Sequence, residues 1–175
     1  VTAAGSRLLG EWIAAPLTDA QRITTRQDAW AWLLDKPQVR QSLREARRPA
    51  PDVARALGRL SLGRGQPRDA AAIRAALSTA RHVARIVRES PQAPSLVTRA
   101  TAHLDKATEL EALLARALSD TLPARLEDGG VIATGYDGEL DGERELRDGS
   151  RRIIAALQQE YADAFGISNL KIRHH

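Results

Sequence analysis

The chain has no cysteine, which excludes disulfides, thiolate zinc sites and thiol nucleophiles. It has no methionine either, and a natural reading frame begins with one. Val1 is therefore expected to be an internal boundary of a longer protein. Lysine occurs only at Lys36, Lys106 and Lys171. None of the three follows a glycine, as the lysine of a phosphate-cradling GxxxxGK[ST] loop must. Aromatics are confined to three Trp, two Tyr and one Phe, and they do not interleave with basic residues as a base-stacking platform would. No apolar run approaches the ~20 residues of a membrane span, and no charged-then-apolar start suggests a signal peptide. A soluble cytoplasmic protein with no membrane partner is expected.

What remains is rich in alanine and arginine. At 175 residues the chain suits one domain with a small appendage. Its formal charge of +4 and pI of about 10.1 permit an anionic partner. Arginine and acidic residues nevertheless alternate along most helical stretches, as on ordinary solvated faces. Compositional bias is therefore expected to account for the basicity, ahead of a dedicated nucleic-acid patch.

Apolar residues recur at helical spacing almost throughout. Leu8, Leu9, Trp12 and Ile13 form one stripe, ended by Pro16. Thr18 and Gln21 read as a capping box for a helix through Ile23, Trp30, Leu33 and Leu34. Pro37 suits the first turn of a helix carrying Val39 and Leu43, and Pro67 that of a longer one carrying Ile73, Leu77, Ala80, Ala84 and Val87. Between them, a helix with Val53, Leu57 and Leu60 ends at the loop Gly63 to Pro67. The stretch from Ser95 to Asp120 is one helix or two, with Thr108 and Glu111 offering a second capping box. Residues 122–136 are irregular. Asp137 then caps a helix reaching Phe165, with a possible break near Gly149 and with Gly166 as its left-handed terminator. Three glycines inside it, at 138, 142 and 149, each cost ~1 kcal/mol against alanine. The helix is therefore expected to need packing through Leu140, Ile154, Leu157, Tyr161 and Phe165. Beyond it Leu170 and Ile172 alternate with Lys171 and Arg173, a strand signature. A lone strand cannot satisfy its backbone, so its partners are expected outside the sequence. Val131-Ile132 is the other short stretch with strand propensity.

No catalytic constellation emerges. Ser6 and Ser42 lack a nucleophile elbow and a neighbouring histidine. His82 and His103 read as isolated surface histidines, and His174 and His175 are native or tag remnants. Asp137 and Asp141 could be imagined as a carboxylate pair, but an N-cap and a first-turn acid explain them. Arg64, Arg68 and Asp69 flank Pro67. The block is either a helix start alone or, through the two arginines, a contact with a neighbouring domain. Trp12 and Trp30 lie on apolar stripes and are expected in the core. Trp32 lies off the stripe and is expected to be covered by another domain.

Five blocks, in order, carry a resemblance. They are Gly5-Ser-Arg-Leu-Leu-Gly-Glu-Trp-Ile-Ala-Ala-Pro16, Arg22-Ile-Thr-Thr-Arg26 and Arg64-Gly-Gln-Pro-Arg-Asp69, then Gly129-Gly-Val-Ile-Ala-Thr-Gly-Tyr-Asp-Gly-Glu-Leu-Asp141 and Gly166-Ile-Ser-Asn-Leu-Lys-Ile-Arg-His174. Together they resemble the central lever region of the MutS family of DNA mismatch-repair ATPases. The resemblance implies an all-α fold: a multi-helix lever or bundle with one long C-terminal helix and a truncated terminal strand. Residues 1–166 would form the helical lever, and residues 167–175 the start of a DNA-clamp domain. It implies a parent that binds mismatched double-stranded DNA through domains outside this chain, uses ATP and Mg²⁺, forms a homodimer and recruits a downstream repair factor. This segment would hold no cofactor and be no enzyme itself. Lys171, Arg173 and His174 are the DNA-backbone candidates, and Arg64, Arg68 and Trp32 the inter-domain ones. The rival reading is a stand-alone helical adaptor unrelated to DNA repair; a helical-bundle enzyme has no constellation to rest on.

Overall fold

A computed structural model of the chain describes residues 2–166 and Lys171. Eight α-helices occur among them, and no strand: α1 (Ala3–Ala14), α2 (Ala20–Asp35), α3 (Pro37–Arg47), α4 (Val53–Ser61), α5 (Pro67–Glu89), α6 (Ser95–Thr101), α7 (Thr108–Ala117) and α8 (Gly138–Phe165). The fold is all-α with a long C-terminal helix. The expected strand at Leu170 to Arg173 lies outside the described residues, apart from Lys171. The chain divides into two compact units, Val1–Val131 and Ile132–His175.

The first unit is organised around α5. It packs against α3, α4, α6 and α7, while α2 packs on α3 and α6. Leu43 of α3 and Val83 and Val87 of α5 are its buried centre, with Leu33, Val39, Ile86, Val97 and Leu104 packed around them. The clean heptad-like stripe of α5 explains its central place: a wide apolar face over 23 residues can receive several short helices at once. The helices packed directly on α5 are individually too short to stand alone, so this burial holds them.

Helix ends follow the sequence in most places. Pro37 and Pro67 occupy first-turn positions, where a missing N–H leaves nothing unsatisfied. Two expected capping boxes are corrected. The cap of α2 is Asp19, not Thr18: its carboxylate accepts from the N–H groups of Gln21 at 2.8 Å and Arg22 at 3.0 Å. A charged acceptor serving two orphan donors outcompetes a hydroxyl serving one. At α7 the cap position is Ala107, and Glu111 instead accepts from Arg81 of α5 at 3.0 Å. Ser95 to Asp120 resolves into two helices separated by turns. At Val131-Ile132 there is no strand but an isolated bridge at Ile132, and the Val131 carbonyl accepts from the Ser119 N–H at 2.9 Å.

In the second unit α8 runs 28 residues without a break at Gly149, about 42 Å at 1.5 Å per residue. Asp137 caps it by accepting from the Leu140 N–H at 3.1 Å. Gly166 closes it at φ 66°, its N–H bonded to the Ala162 carbonyl, a conformation that a Cβ disfavours. No α8 residue is buried. Leu140 and Ile154 are half-buried, but Leu157, Tyr161 and Phe165 are exposed, so the expected packing stripe is largely open among the described residues. Tyr161 and Phe165 meet each other, with ring centroids 6.3 Å apart.

Candidate functional surfaces

The corner between α4 and α5 holds a buried, fully hydrogen-bonded carboxylate. Gly63 ends α4 at φ 66°. Its N–H bonds to the Leu60 carbonyl at 3.0 Å, and that of Arg64 to Arg59 at 2.9 Å, the paired bonds of a Schellman terminator. The next helix starts four residues on, and Asp69 in its first turn is only 1% exposed. Asp69 accepts from the Gln66 N–H at 3.0 Å, and from Arg59 Nε at 3.0 and 3.1 Å. Arg59 Nη2 also donates to it. The Arg59 guanidinium, then the Gln66 N–H, hold the Asp69 carboxyl at about 2 against the opposing effect of burial. The same fork raises Arg59 above its usual value. A buried carboxylate is tolerated because a planar fork and a backbone donor satisfy it.

The first-turn role read for Asp69 thus acquires a partner that the sequence did not point to. Arg59 lies ten residues upstream, beyond any local pairing rule. Arg64 and Arg68 are both exposed and form no ion pair among the described residues, so their side chains stay available at the surface.

The tryptophans exchange places relative to expectation. Trp32 is 7% exposed and Trp30 65%. Trp32 of α2 donates its indole Nε1–H to the carbonyl of Pro91, in the turn between α5 and α6, at 3.2 Å. It is covered by this chain's own turn, which corrects its expected covering by another domain. Helix α2 carries two apolar faces. Ala29, Trp32 and Leu33 turn into the unit; Ile23, Trp30 and Leu34 line an open groove with Trp12 of α1. Arg26 sits 3.7 Å over the Trp12 ring, a cation–π contact. Helix α1 buries no residue and is tied down by Arg7, which donates to Asp52 at 2.8 Å.

At the start of α8 the two carboxylates act on the backbone and on arginine. Asp141 accepts from the Gly135 N–H at 2.6 Å and from Arg144 at 3.0 Å, and Arg144 also donates to the Ile132 carbonyl at 2.9 Å. With Asp137 capping Leu140, both acids are occupied in folding the turn. No group of three or more potential metal-ligating side chains occurs among the described residues. Lys171 is exposed; Arg173 and His174 lie outside the described residues. No helix among the described residues is long and apolar enough to cross a membrane.

The described residues thus form a helical scaffold with a long exposed helix and with cationic and apolar surfaces left open. A family model described as MutS domain III matches residues 1–171. The DNA mismatch repair protein MutS of Granulibacter bethesdensis is 53% identical over 175 residues, which are all of this chain and 19% of that protein. The MutS proteins of Rhodopseudomonas palustris and Cereibacter sphaeroides are 48% and 43% identical, again over the whole chain, covering 19% and 20% of their own length. The chain belongs to the MutS family. It spans about a fifth of the length of these relatives. Membership displaces the adaptor unrelated to DNA repair.

Proposed function

We propose that this chain is the lever segment of a mismatch-repair protein, connecting an ATP-hydrolysing end to a DNA-gripping end. The observation that carries the reading is α8, one unbroken 28-residue helix within a chain matched by MutS domain III over residues 1–171. A continuous helix transmits displacement along its axis because every turn is hydrogen-bonded to the next. ATP and Mg²⁺ belong to other parts of the longer protein, since none of the three lysines of this chain follows a glycine. That protein acts in the cytoplasm as a homodimer on mismatched duplex DNA and engages a downstream repair factor. Arg64 and Arg68 face a neighbouring domain, and Lys171, Arg173 and His174 lie toward the DNA backbone.

Breaking α8 in the full-length protein tests the lever. Arg151→Pro removes one backbone donor and clashes with the preceding turn, a perturbation of ~3 kcal/mol or more. Basal ATP hydrolysis should persist, while mismatch-dependent stimulation and ATP-driven DNA release should be lost. Coupling at wild-type strength in a folded Arg151→Pro protein would refute the lever role.

A further inference from the structure

The charge of this chain is not spread evenly. Residues 36–48 hold five cations, Lys36, Arg40, Arg44, Arg47 and Arg48, against one anion, Glu45. That gives the segment a formal +4, the same as the whole chain, so everything outside it sums to zero. Elsewhere several arginines are engaged by carboxylates, among them Arg7 and Arg55 by Asp52, Arg59 by Asp69, Arg81 by Glu111 and Arg144 by Asp141. Those without such a partner, Arg64 and Arg68 included, lie in segments whose charges cancel overall. Among the described residues none of the five cations of 36–48 has such a partner. Glu45 is occupied by the Gln41 amide.

Helix α3 displays these charges in an ordered way. Val39, Leu43 and Ala46 turn to the core, which sends the cations outward and to one flank. Arg40, Arg44 and Arg48 follow at four-residue intervals, each about 6 Å further along the axis, with Arg47 beside them. Arg44, Arg47 and Arg48 are exposed. Arg40 and Arg47 each give one guanidinium N–H to a main-chain carbonyl, of Leu33 at 3.3 Å and Leu43 at 3.0 Å. These bonds steady the side chains and leave their other donors free. Two of the arginines also lie in the last turn, where the helix dipole favours a cation. That effect saturates within one turn and does not require five.

We infer that this face of α3 contacts the phosphate backbone of duplex DNA, without regard to sequence. Its chemistry decides between anionic partners. An acidic protein surface would need apolar or aromatic anchors at the centre of the interface. Every exposed residue of α3 other than Pro37 is polar or charged, including Gln38, Gln41 and Ser42. Arginine with neutral amide and hydroxyl donors is the set that phosphate oxygens attract. The inference rests on charge and geometry and does not depend on the lever reading.

The test is fluorescence anisotropy of the 175-residue chain with a random-sequence DNA duplex over a salt series. Four arginine contacts give a slope of log K against log salt of about −3.6, so binding near 10⁻⁴ M at ~150 mM salt tightens roughly a thousandfold by ~20 mM. Matched and mismatched duplexes should behave alike. Arg40→Gln, Arg44→Gln and Arg48→Gln combined should cut the slope to about −1. The charge-matched control, Arg85→Gln, Arg99→Gln and Arg116→Gln, should keep it near the parent value. Circular dichroism of each variant verifies the fold. Absence of binding at low salt, equal losses in the two triple variants, or loss only in Lys171→Gln/Arg173→Gln would each overturn the assignment. So would α3-dependent binding to polyglutamate with none to DNA.

Discussion

Replacing Trp32 by alanine separates two accounts of this residue by several kcal/mol. If its cover comes from another domain, truncation in this chain is nearly neutral, within ~0.5 kcal/mol as for surface positions. The structure buries all but 7% of it. An indole of ~200 Å² at ~25 cal/mol per Å² corresponds to about 5 kcal/mol of transfer, and Trp→Ala in cores typically costs about 3–5 kcal/mol. Loss of the Nε1–H bond to Pro91 adds about 1 kcal/mol, partly offset because Pro91 is at the surface, where water can replace the donor. Urea unfolding followed by far-ultraviolet circular dichroism should show a midpoint lower by ~2 M if the slope is about 2 kcal/mol per M. Trp32→Phe, which keeps most of the area and forfeits the bond, should lose only ~1–1.5 kcal/mol and provides a folded intermediate case. Trp30→Ala, at a residue 65% exposed, should stay within ~1 kcal/mol. A Trp32→Ala loss no greater than that of Trp30→Ala would refute the placement of α2.

Gly65→Ala should destabilise the first unit by ~1–3 kcal/mol in the same assay, because a Cβ there would collide with Leu60 Cδ2 and stand 3.3 Å from Leu60 Cα. Acid titration should show the α4–α5 corner persisting below the ordinary carboxylate range. Asp69 titrates at about 2 in the folded chain against ~3.9 unfolded, so its stabilisation is complete above ~4 and lost as pH falls toward 2. Arg59→Met removes the main cause of that depression and should move the acid-unfolding midpoint upward. Calorimetry of this chain with ATP and Mg²⁺ should be flat at millimolar nucleotide; a saturable heat would reveal a nucleotide site built without a glycine-lysine loop.

Much of the fold was legible in local chemistry. Proline marks the first turns of α3 and α5, Asp137 and Gly166 bound α8, and the stripe from Ile73 to Val87 identifies the helix on which the others pack. These signals act within one or two turns of helix, and so the residues alone determine them. The ordered blocks from Gly5 to His174 likewise carried the family. Tertiary structure decided which of two available faces turned inward. On α2 the stripe of Ile23, Trp30 and Leu34 is as regular as that of Ala29, Trp32 and Leu33, and helical periodicity cannot rank them. A carbonyl at Pro91, 59 residues away, gave the Trp32 indole an acceptor and the second face a floor. Arg59 reached Asp69, and the arginines that four-residue spacing sets on one flank of α3 were left without carboxylate partners among the described residues, for the same reason. Whether a charge finds a counter-charge depends on what the fold brings beside it, and spacing along the chain does not encode that.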